Sequence, residues 1–87
     1  MSEPLSVSAL IHLIVVLRRM EVDGKGWTVG QTAKALAVSR DFIYDCLREG
    51  KEFERLPGPR PARISARSIL LYLKHTYNGG IYFHLFE

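Results

Sequence analysis

The chain has 87 residues, with 12 Lys or Arg against nine Asp or Glu. That length sustains one hydrophobic core and not two, and a lone Cys46 excludes an internal disulfide framework and a cysteine-built metal cluster. The net charge of +3 is unevenly placed: residues 27–76 carry nine cations against five anions, and residues 1–26 carry three of each, so a polyanion would dock on the middle of the chain.

Residues 6–20 (SVSALIHLIVVLRRM) predict a first helix with Ser6 as N-cap. Its apolar surface is wide. Val7, Leu10, Ile11, Ile14 and Leu17 form one stripe, and Leu13, Val16 and Met20 form a second beside it. Only Ser8, His12 and Arg19 make a solvated line, interrupted by Val15. A surface helix ordinarily buries one stripe, so this one calls for a second partner. The run from Val7 to Leu17 is about 17 Å long as a helix, too short to span a bilayer. It has no preceding basic residue and no cleavage-site pattern after it, so the expected setting is cytoplasmic and reducing, with no membrane partner.

Residues 21–26 (EVDGKG) read as a turn. Thr28 then opens a second helix, and Gln31 stands at the capping-box spacing; Val29, Ala33 and Leu36 face inward. The helix breaks near Ala37-Val38. Ser39 caps a third helix, Asp41 suits its first turn, and Ile43, Cys46 and Leu47 form its buried stripe. Gly50 stops it. Residues 51–64 (KEFERLPGPRPARI) predict a short, irregular hairpin around Pro57-Gly58-Pro59-Arg60. Ser65 caps a fourth helix over 66–77, with Ile69, Leu70, Leu73 and Tyr77 on one face. The tail Ile81–Phe86 (IYFHLF) is strand-like without a sequence-adjacent partner. The expected architecture is therefore mainly α with a small β wing: one domain over 1–87, its core at 27–77, an added N-terminal helix at 6–20 and a tail at 78–87.

The stretch Trp27–Gly50, WTVGQTAKALAVSRDFIYDCLREG, carries the strongest functional signal. Two short helices crossing steeply through a tight turn need a small residue in the first helix, apolar residues around the turn and an inward residue in the second. Ala33, Leu36, Val38 and Ile43 meet those needs. The exposed face of the second helix, from its cap Ser39, then offers Arg40, Asp41, Tyr44 and Arg48 to a DNA major groove. A generic helical hairpin is the plainer alternative.

With the following ARISARSILLYL, this stretch resembles the excisionase family of winged-helix proteins, relatives of the MerR-type DNA-binding domain. The family's helix-turn-helix, wing, and Arg-Ile-Ser segment with closing helix fall at 28–50, 51–62 and 63–73. The resemblance implies a recognition helix in the major groove and a wing tip at Pro57, Gly58, Pro59 and Arg60, its arginine suited to a narrow minor groove. Lys34, Lys51, Arg55, Arg63 and Arg67 are candidate phosphate contacts. Each is equally readable as a solvated charge, and Arg63 alternatively as a brace for the wing. Asp41 and Asp45 repel phosphates, although an acid can accept from a cytosine amino group. Ala37 departs from the family's usual turn glycine, and Cys46 from a larger aliphatic residue. Residues 1–26 and 78–87 lie outside the shared core.

The resemblance implies an accessory factor that binds neighbouring sites on double-stranded DNA, bends it and steers a partner integrase toward excision. A small phage-borne transcriptional regulator would use the same helix-turn-helix, and an adaptor that never meets DNA is a third reading. An enzyme is the weakest: no glycine-rich nucleotide loop or metal motif appears, no cofactor is implied, and His12, His75 and His84 lack ligand spacing. The two chain ends are expected to join protomers through Leu13, Val16, Met20, Ile81, Phe83 and Leu85. Nearly as well supported is a helix and tail that cover each other within one protomer.

Overall fold

The computed structural model describes residues 5–77. It contains helix α1 (Val7–Val22), strand β1 (Gly26–Thr28), helices α2 (Val29–Leu36) and α3 (Arg40–Glu49), strand β2 (Arg63–Ser65) and helix α4 (Ala66–Thr76). This is a winged helix-turn-helix, mainly α with a small antiparallel sheet. The tail with Ile81, Phe83 and Leu85 lies outside the described residues.

Local chemistry sets the helix limits. Ser6, Thr28, Ser39 and Ser65 each accept a hydrogen bond from the amide three residues on, at 3.0–3.2 Å. Thr28 completes its capping box, its own N–H donating to Gln31 Oε1 at 3.0 Å, which satisfies two orphan amides reciprocally. Helices α1, α2 and α3 end alike: Gly24, Ala37 and Gly50 take positive φ, and the next amide donates back five residues, Lys25 to Met20, Val38 to Ala33 and Lys51 to Cys46, at 2.9–3.0 Å. That pairing occupies carbonyls a helix end would otherwise leave open.

The strand at Gly26–Thr28 corrects the expectation that a turn runs directly into α2. It pairs antiparallel with β2, Gly26 opposite Ser65, Trp27 opposite Ile64 and Thr28 opposite Arg63. Three residues are too few to show a period, and the partner is far along the chain, so no local signal announces it. A Cβ on Gly26 would overlap the Ile64 carbonyl oxygen, so only glycine allows this approach. On the other side of β2, Arg55 bridges to Ile64, Leu56 N–H donates to Arg63 O and Ser65 N–H to Glu54 O, both at 2.8 Å. These bonds close the short hairpin around the Pro57–Arg60 tip.

The core is one cluster in which Leu10, Leu17, Ile43, Ile64, Ile69 and Leu73 are fully buried. Helix α1 packs chiefly on α4 and also meets β1. Burying a leucine or isoleucine contributes about 1.5–3 kcal/mol, so Leu10, Ile14 and Leu17 make α1 integral to the fold. The angular assignment of α1 needs one correction. Val7 and Ile11, expected on the inward stripe, are 39% and 43% exposed. Leu13 and Met20, expected on the second stripe and as contacts between protomers, are partly buried and packed against the core of their own chain; Val16 is half-buried. At 100° per residue the buried arc runs from Leu13 through Leu17 and Leu10 to Ile14, which leaves Val7, Ile11 and Val15 outside it. Phe42, Phe53 and Tyr72 cluster with ring centroids 5.0–6.4 Å apart, tying α3 to the base of the wing and to α4.

Candidate nucleic-acid interface

Helix α3 is held against α2 by Ile43 and Cys46, both buried. Residues 40, 44 and 48 recur every four positions on the opposite side, so Arg40, Tyr44 and Arg48 form one line with Asp41 beside it. All four are exposed, as are Asp45 and the cap Ser39. These are the residues that the sequence placed on the exposed face, and of its two cations Arg48 is already paired. Arg48 pairs with Asp45, both side chains largely exposed. Arg40 turns back over the first turn of α2: a Cβ built on Gly30 would lie 3.0 Å from its Nη2. Glycine at position 30 therefore gives the guanidinium its seat. Arg40 and Arg48 against Asp41 and Asp45 leave the face with no net charge.

The wing carries the opposite balance. A groove of about 600 Å³ runs between the Gly24–Gly26 turn and the wing, and Lys25, Arg60 and Arg63 line it with Met20, Leu56 and the three prolines of the tip. No acidic side chain is among its lining residues, and none of its three cations has an ion pair among the described residues. Gly58 turns the tip at φ 137°. Arg63 alternates with buried Ile64 along β2 and points outward, while its carbonyl bonds to Leu56; the residue both closes the hairpin and presents charge.

The remaining candidates are scattered. Arg67, in the first turn of α4, shares two shallow depressions with Glu54, one lined also by Glu21 and by the Lys25 turn and the other by Glu52, so Arg67 has acids on both sides, a setting unfavourable to a phosphate. Lys51 pairs with Glu49 at 3.7 Å. Lys34 and Arg55 are exposed. Lys25 is absent from the sequence-derived set, because its charge sits in a turn whose contact with the wing depends on β1 pairing with β2. Its carbonyl accepts from Ala66 N–H at 3.1 Å, which fixes the turn beside the start of α4.

Cys46 faces the core and its thiol is pushed above the ordinary range, first by burial and then by Glu52, Glu49 and Asp45. It is held protonated and poorly nucleophilic. Among the described residues no group of His, Cys, Asp and Glu could hold a metal ion, and no helix is long and apolar enough to cross a membrane. No protein-family model, curated protein or solved structure matches this chain.

Proposed function

We propose that this chain is a sequence-specific, double-stranded-DNA-binding and DNA-bending accessory factor of the excisionase type, acting with an integrase partner and performing no catalytic step. The observation that carries this reading is that one fold has both an exposed α3 face with Arg40, Tyr44 and Arg48 and a wing groove whose charged residues, Lys25, Arg60 and Arg63, are all cationic. A helix of this size fits a major groove, and a proline-stiffened tip bearing one arginine suits a narrow minor groove beside it. In this reading Arg48 and Tyr44 read bases, Arg40 contacts backbone from its seat on Gly30, and Arg60 and Arg63 hold the flanking duplex. Neighbouring protomers occupy adjacent sites.

The test is a footprint over DNA flanking the coding region of this protein, repeated across protein concentrations. The expected result is protection of tandem direct repeats with increased bending as sites fill. An inverted repeat occupied by a symmetric dimer would assign the chain to transcriptional regulation instead. No protection, with binding to arbitrary duplex independent of salt, would remove DNA from the reading.

A further inference from the structure

The groove between the Gly24–Gly26 turn and the wing mixes two chemistries. Its charged residues, Lys25, Arg60 and Arg63, are all cations without ion pairs among the described residues. Around them lie half-buried Met20 and Leu56 and the three exposed prolines of the tip. A duplex phosphate calls for cations and amide donors and gains nothing from that apolar surface. The prolines also withhold three amides that could have met it, since proline has no N–H. A carboxylate carried on an apolar chain uses both parts. An arginine fork meets the carboxylate through two N–H donors, and neighbouring apolar atoms leave water against Met20, Leu56 and the prolines.

The groove's volume of about 600 Å³ lies within the roughly 300–1,000 Å³ of sites that hold a ligand larger than a single ion. Both walls are set before a ligand arrives. Lys25 O accepts from Ala66 N–H at 3.1 Å, and Leu56 N–H donates to Arg63 O at 2.8 Å, so neither turn nor hairpin has to be ordered on binding. We propose that this groove docks an acidic, apolar-bearing peptide segment of a partner protein. Its carboxylates meet Lys25, Arg60 and Arg63, and its apolar side chains lie against Met20, Leu56 and the prolines. In the DNA-binding reading Arg60 and Arg63 also hold duplex, which makes such a segment a competitor for the wing. The docking itself rests on the groove and not on that reading.

The test is fluorescence anisotropy of the full chain, without DNA, on a labelled hexapeptide of alternating Glu and Leu. Two further peptides carry Gln for each Glu, or Ser for each Leu. The expected result is saturable binding that weakens about 10-fold or more with Lys25→Glu or Arg63→Glu, as like charges then face the carboxylates. Either altered peptide should bind about 5-fold or more weakly than the first. Lys74→Glu, exposed on α4 and outside the groove lining, should leave binding unchanged. Circular dichroism checks each variant, and Arg60→Glu on the tip makes the same demand should Arg63→Glu not fold. No binding overturns the inference, as does equal binding of the Ser peptide, which would mean a plain anion site, or of the Gln peptide. Self-association in sedimentation velocity that Lys25→Glu abolishes would give the groove to a second copy and also overturn it. The two readings fail separately: a chain that takes the peptide but protects no DNA upholds this inference alone, and one that protects DNA but ignores the peptide rejects it alone.

Discussion

Ala37 ends α2 at φ 56°, ψ 42°, where Gly24 and Gly50 do the same for α1 and α3. A Cβ in that region opposes the following carbonyl, so Ala37→Gly is expected to raise stability by about 0.5–1 kcal/mol despite the looser unfolded chain. A denaturant midpoint that moves up at unchanged slope would show this; an unmoved or lower midpoint would mean the turn is unstrained. Cys46 makes a pH prediction. Burial, followed by Glu52, Glu49 and Asp45, raises its thiol, and burial likewise raises the Tyr72 phenol, partly offset by its hydrogen bond to Thr76. Both groups are favoured neutral in the folded state. Their contribution is complete below the ordinary thiol range and is lost as pH rises through the raised folded values. Urea midpoints should therefore hold near neutrality and fall in alkali, and Cys46→Ala should remove the earlier part of that fall. An identical alkaline profile in the variant would clear Cys46 as its cause.

Among the elements, α3 and the wing make separable predictions. Arg48→Ala removes a candidate base contact and should weaken specific binding by about 1–3 kcal/mol, whereas Arg40→Ala should lower affinity evenly across sequences, as loss of a backbone contact does. Competition titrations on matched and scrambled duplexes distinguish them, and intact circular dichroism is the control. Arg60→Ala should reduce affinity and flatten the bend, read from the mobility of circularly permuted fragments; wild-type bending would exclude the tip from the minor groove. The helices of this region were legible in the sequence because caps and stops are local chemistry: Thr28 with Gln31, Ser39 and Gly50 announce themselves within four residues. Strand β1 was not, because Gly26–Thr28 acquires meaning only when Arg63–Ser65 arrives beside it. The site inherits the same divide. Arg40, Tyr44 and Arg48 follow from helical spacing, while Lys25 joins Arg60 and Arg63 only through the sheet. Gly30 as the seat of Arg40 carries no sequence signal at all.

For the molecule as a whole, α1 shows how far periodicity can rotate an assignment. Its sequence is apolar on so many sides that the pattern alone could not tell which arc α4 and β1 would cover. Packing chose Leu10, Ile14 and Leu17, and Leu17→Ala should destabilise the entire fold by about 2–5 kcal/mol; loss confined to α1, with the Trp27 signal unchanged, would mean the helix is separable. Charge is also divided across the molecule: the Arg40, Asp41, Asp45 and Arg48 face of α3 is in internal balance, and the charged residues lining the wing groove are all cationic. Fields act at a distance and matched contacts act only on touch. In the proposed DNA-binding function the two surfaces would thus belong to different moments of one encounter: the wing would draw DNA in, and α3 would decide whether it stays. In stopped-flow measurements Arg60→Ala and Arg63→Ala should slow association and flatten its salt dependence, while Arg48→Ala and Tyr44→Ala should leave arrival unchanged and hasten departure.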